Sequence, residues 1–199
     1  MLKKILLALL VVLAGFLLLV VSRPDTFHIE RSAMLIAPPA VVFARLNDFH
    51  AWADWSPWEK LDPAMKKTFG GPESGPGASY AWAGNDKAGE GSMLIQTATN
   101  PSHIGIELKF LKPFAATYQA GFDLAPEGTG TKVTWSMDGR NDIASKVFGL
   151  FMNMDKEVGS DFERGLASLN EVTVKDAAVV TAHDAAEAAA QAADSMGKQ

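Results

Sequence analysis

The chain opens on an unbroken apolar run, ILLALLVVLAGFLLLVV at residues 5–21, in which 14 of 17 side chains are Leu, Ile, Val or Phe. As a helix rising about 1.5 Å per residue it spans roughly 26 Å, at the short end of what crosses the hydrocarbon of a bilayer. At roughly −0.3 to −0.6 kcal/mol for each large apolar side chain, insertion is favoured by about 4–8 kcal/mol. Lys3 and Lys4 precede the run and Arg23 follows it. With the amino terminus, these charges predict a single-pass anchor over residues 1–23, its N-terminus cytoplasmic and the remaining chain extracytoplasmic. A cleaved signal peptide shares the basic start and the apolar stretch. This run is longer than a usual signal core, however, and no A-x-A site follows it.

Beyond the anchor the period shortens to two. Residues 27–36 (FHIERSAMLI) alternate and predict a strand, which Pro38 and Pro39 turn into a short helix through AVVFARLND. Trp52, Trp55 and Trp58 follow at steps of three, where Pro57 limits the helix to a single turn before a loop. Five further strands are predicted: one where Tyr80 and Trp82 share a face, then EGSMLIQTAT, HIGIELKFL and TYQAGFDLAPE, and last TKVTWSMDG with Val133, Trp135 and Met137 on one side. Short turns between consecutive strands predict an antiparallel meander with one apolar face. The period then lengthens to three and four. Ile143, Val147, Leu150, Phe151, Met154, Val158, Phe162, Leu166 and Leu169 predict one amphipathic helix of about thirty residues and about 45 Å, capped by Asn141 or Asp142 and lying on the sheet's apolar face. The Ala-rich tail, residues 174–199, has little to bury and is expected to fray.

Composition narrows the function classes. A net charge of −5, with basic residues never clustered beyond pairs, excludes a general nucleic-acid binder. With no cysteine, disulfides, thiolate metal sites and cysteine nucleophiles are excluded. His28, His50, His103 and His183 are scattered without zinc-motif spacing, and GGPESGPG lacks the strand-then-helix context of a phosphate cradle. Neither a metal nor a nucleotide cofactor is expected. Asp86 and Glu90 fit a solvated turn better than an acid–base pair.

Several segments carry a resemblance: RSAMLIAPPAVVFARLNDFHAWADWSPWEKLDP, GPESGPGASYAWAGND, GEGSMLI, LKFLKPF, GTKVTWSMDG and FGLFMNMDKEVGSDFERGLASL. In these and in the order of its elements, the chain resembles the START-related helix-grip superfamily, SRPBCC, and within it the polyketide cyclase/dehydrase-like branch with an N-terminal anchor. The resemblance covers residues 26–173. It implies an α+β fold in which a curved antiparallel sheet wraps a long C-terminal helix, with two short helices and a cavity between sheet and helix.

Residues expected to line that cavity are Trp52, Trp55, Trp58, Tyr80, Trp82, Phe110, Trp135, Phe148, Phe151, Met152 and Met154. Methionine suits a wall that accepts varied ligands, although each of these side chains would serve equally well in a core. The expected activity is binding of a hydrophobic molecule (a lipid, quinone or polyketide-like compound) beside the bilayer, and more a binding role than a catalytic one. Two alternatives stay open: a cyclase- or hydratase-type enzyme, and a protein-interaction domain akin to activators of a chaperone ATPase. A closed, filled interior combined with an exposed apolar patch of about several hundred Å² would favour the last. Oligomeric state is not indicated.

Overall fold

The computed structural model describes residues 1–196, with side-chain surroundings through residue 191. Helix α1 (Leu2–Val21) carries the apolar run, and among the described residues it is the helix long and apolar enough to cross a membrane. A signal sequence shares that composition. Strand β1 (Thr26–Leu35) leads into α2 (Pro39–Leu46), whose first turn holds Pro39 as the corner requires, and then into two 3-10 turns, Phe49–Asp54 and Pro57–Lys60. Six strands follow: β2 (Lys66–Gly70), β3 (Ser79–Ala83), β4 (Glu90–Thr99), β5 (His103–Lys112), β6 (Ala116–Glu127) and β7 (Gly130–Arg140). They form a seven-stranded antiparallel sheet in the order β1-β7-β6-β5-β4-β3-β2. β2 was not foreseen as a strand; its residues are all exposed, so no buried face marks it in the sequence.

The predicted thirty-residue helix is two helices. Gly149 ends α3 (Ile143–Phe148), and a turn leads to α4 (Met154–Met196), where the Asn153 side chain accepts from the Lys156 N–H as an N-cap. The three-and-four spacing runs across the break, because a turn of about one helical period leaves the pattern nearly in phase. At the other end, α4 continues through the tail expected to fray. Ala, Glu and Gln propagate a helix readily once a packed segment has nucleated it. Arg45 also holds Asp176 through two hydrogen bonds of 2.6 and 2.8 Å. The tail's last three residues, 197–199, lie outside the described residues.

The core lies between the concave face of the sheet and the first half of α4. Trp135 on β7 stacks on Phe162 of α4, ring centroids 4.2 Å apart and planes 5° from parallel. Trp55 and Trp58 meet Trp135 edge-on at 5.6 and 5.4 Å, Trp52 sits 4.9 Å from Trp55, and Phe122 closes the cluster 4.8 Å from Trp135. Helix α4 comes this close because residue 165 is glycine: a Cβ there would stand 2.7 Å from the Trp135 indole. The interior is therefore filled with aromatic rings along this stretch. Phe162→Ala is expected to lower unfolding free energy by about 3–5 kcal/mol, whereas Phe151→Ala should change it by less than about 0.5 kcal/mol. Chemical denaturation of the two variants measures the difference.

Candidate functional site

Open space remains where α4 begins. A cavity of about 480 Å³ lies between the exit of α1, the first residues of β1, the end of β7, α3 and the turn that follows it. Phe27, Phe148, Phe151, Met152 and Met154 supply its apolar surface, and Arg23, Asn141, Ser145, Lys146 and Asn153 its polar surface. Four of the residues expected from sequence, Phe148, Phe151, Met152 and Met154, meet here, and all four are exposed, Phe151 to 82%. A second cavity, about 220 Å³, lies beside Phe49, His50 and Phe69, where His50 stacks on Phe69 at 4.1 Å.

Phe27 belongs both to the larger cavity and to an aromatic stripe along the concave sheet. Its ring meets Tyr118 at 5.1 Å, Tyr118 meets Phe110 at 5.9 Å, Phe110 meets Trp82 at 5.8 Å, and Trp82 meets Tyr80 at 6.0 Å. Two glycines make room for the stripe. A Cβ at Gly139 would lie 2.5 Å from the Phe27 ring, and one at Gly91 would lie 2.5 Å from the Trp82 indole. Trp82 and Phe110, both half-buried, thus form a concave surface, while Tyr80, Trp52, Trp55 and Trp135 are buried in the core and Trp58 is half-buried against it. Phe27 and Tyr118 were not among the expected residues. Each stands at an alternating position of its strand, and that alternation is the signal that would have found them.

Polar groups are few on the concave side. Glu59, its side chain largely buried, accepts a 2.7 Å hydrogen bond from the Tyr80 hydroxyl and pairs with Lys67. Burial, then the Glu59 carboxylate, push the Tyr80 phenol above its ordinary pKa, and burial does the same to Tyr118. Deeper in, no acceptor among the described residues reaches the buried Trp55 Nε1, whereas Trp52 Nε1 donates to the Leu46 carbonyl. Among the described residues no group of three acidic or histidine side chains is placed to hold a metal ion.

Charge pairs fix the rim of the larger cavity. Arg31 points from β1 towards α4, donating to Glu163 at 2.9 Å and to both Asp155 oxygens at 3.1 Å. It passes α4 at Gly159, where a side chain would collide with it. An inward-facing charge on an edge strand is uncommon in a buried layer, and here the partner carboxylates stand half in water. Lys146 of α3 pairs with Asp25, and Asn141 donates through its backbone and its side chain to the carbonyls of Asp25 and Pro24, at 2.8 and 3.1 Å. The Asp142 carboxylate caps α3 by accepting from the Ser145 N–H at 2.7 Å.

A curved seven-stranded antiparallel sheet gripping a long C-terminal helix, with short helices inserted after the first strand, defines a helix-grip protein of the SRPBCC type. The profile of the family described as polyketide cyclase/dehydrase and lipid transport matches residues 26–173. The chain belongs to that family. No match was found among curated proteins. Among solved structures, one protein from Chromobacterium violaceum superposes with a TM-score of 0.53 at 15% identity, covering 76% of this chain and 98% of that one. The Aha1 dimer from Colwellia psychrerythraea gives 0.53 at 11% identity, covering 74% and 96%. The di-domain ARO/CYC protein BexL gives 0.54 at 14%, covering 78% of this chain and 52% of BexL. At these identities the likeness is one of fold.

Hydrogen bonds from Lys146, Ser145 and Arg31 hold the carboxyls of Asp25, Asp142 and Asp155 below the usual carboxylate range. Depressed folded-state pKa values contribute stability above the unfolded value, near pH 4, that is lost as pH falls through the folded values. The α3 segment is therefore expected to loosen below about pH 4. A spin label on Phe151→Cys should then gain mobility below that pH, and Asp142→Ala should show the gain already at pH 7.

Proposed function

We propose that this protein is a binding module for a hydrophobic small molecule, held at a membrane by α1, with the ligand entering the cavity beside α3. One observation carries this reading: the open space and the exposed Phe148, Phe151, Met152 and Met154 coincide, and Phe27 joins them to the aromatic stripe. The volume lies within the range of small-molecule sites, about 300–1,000 Å³. A ligand burying about 300 Å² of apolar surface gains about 7 kcal/mol before entropic costs, which suits micromolar affinity or weaker. Lipids, quinones and polyketide-like compounds partition beside the anchor and fit these limits. Lys3 and Lys4 in the first turn of α1, ahead of its apolar run, support a cytoplasmic N-terminus and an extracytoplasmic domain.

The full chain purified in nanodiscs is expected to carry a hydrophobic compound recoverable by solvent extraction and mass spectrometry. Met154→Arg should lower its occupancy about tenfold, the effect of removing roughly 1.4 kcal/mol. Equal occupancy in wild type and variant would refute binding at this cavity.

A second reading, cyclase- or hydratase-type chemistry on a polyketide-like substrate, is favoured by the Glu59–Tyr80 pair beside Trp82. A carboxylate and a phenol in hydrogen-bond contact are groups that can relay a proton. Under this reading, polyketide-like substrates are turned over by the wild type, and both Glu59→Gln and Tyr80→Phe abolish turnover while ligand occupancy persists. Turnover unchanged in both variants would exclude these two residues from the chemistry.

A further inference from the structure

Exposed apolar residues extend beyond those that line the cavity. Ile143 is 76% exposed and Phe148 53%, and Phe114, from the turn between β5 and β6, stands 5.7 Å from the Phe148 ring with its own surface largely exposed. With Phe151 and Met152, which line the cavity beside Phe148, they make up an apolar rim on α3 and the turns next to it. Contiguous exposed apolar surface of this kind marks a binding face rather than ordinary surface.

What covers it follows from where it is tied. The last turn of α1 packs against α3, and Val20 is buried there. The linker after α1 is fixed to the same segment by the Lys146–Asp25 pair and by the two Asn141 hydrogen bonds. The rim is thus held at the level at which α1 ends, while the turn between β6 and β7, at residues 127–130, lies at the opposite end of the strands. Phenylalanine, isoleucine and methionine placed there meet the boundary between headgroups and acyl chains.

We infer that the rim formed by Phe114, Ile143, Phe148, Phe151 and Met152 is a second membrane contact, seated in the interfacial layer of the lipid bilayer that α1 crosses. The cavity mouth then opens towards lipid rather than bulk water. This inference rests on the anchoring reading above. It adds to it a fixed posture of the domain: the rim faces the bilayer, and the β6–β7 turn points away.

The chain has no cysteine, so single cysteines can be placed without background. The full chain is reconstituted into phosphatidylcholine vesicles with Leu13→Cys, Phe151→Cys, Ile143→Cys or Glu127→Cys, each labelled with a small fluorophore, with and without nitroxide-labelled phosphatidylcholine. Quenching at positions 143 and 151 is expected to exceed that at 127 by about twofold or more, with position 13 quenched as well. If 13 is quenched while 143 and 151 match 127 and answer to a water-soluble quencher, the anchor stands and the second contact is refuted. If 143 and 151 are shielded from both quenchers, the rim is covered by protein, another copy or a partner, and the lipid assignment is overturned. If 13 itself is not quenched, the anchoring reading fails, and the rim contact fails with it.

Discussion

The stacking of Phe162 on Trp135 governs how the rest of the molecule is arranged. A helix laid on a curved sheet must either stand off, leaving a tunnel, or descend until its side chains interlock with the sheet. Here Gly165 removes the side chain that would hold α4 away, and Trp52, Trp55, Trp58 and Phe122 surround the stacked pair. Rings at centroid distances of 4–7 Å gain both burial and favourable edge or face geometry. Once that contact forms, the middle of the grip is solid. Empty volume is displaced to the end where α4 has not yet begun.

At that end the chain relies on different forces. Few large side chains are buried around α3, and its position is set by a cap, an ion pair and hydrogen bonds to the linker after α1. Such contacts are individually weak when exposed to water. They do not lock a segment as a packed core does, so local opening there costs less than opening the core. The proposed entry and release of a poorly soluble molecule would draw on such local opening beside the cavity. Membership in the polyketide cyclase/dehydrase and lipid transport family is consistent with either carriage or chemistry, since a shared fold does not select between them.

The arrangement also couples α1 to the domain that follows it. Arg31, Asp155 and Glu163 fasten the first turns of α4 to β1, and β1 begins four residues after α1 ends. The cavity is therefore framed by elements tied directly to α1. A shift of α3 would be felt at the C-terminal end of α1 and at the start of α4 alike, because Lys146 and Asn141 link the former and Asn153 caps the latter.

Much of this was legible in the amino-acid order, because strand alternation, helical spacing, proline corners and an apolar run are local consequences of backbone geometry. They place α1, β1, the Pro38–Pro39 corner, the meander from β3 to β7 and the existence of a long terminal helix. Local pattern could not distinguish a tryptophan that plugs a core from one that lines a pocket, since both must be apolar on the same face; Trp55, 1% exposed, and Trp82, on the open stripe, carry the same signal. Nor could it locate the break at Gly149–Asn153, because the hydrophobic phase survives a turn of about one helical period. Inward-facing Arg31 and the Glu59–Tyr80 pair likewise depend on residues 124 to 132 and 21 positions away. Such contacts form only when chain segments remote in sequence close on one another, and for that reason the cavity and its rim belong to the tertiary structure.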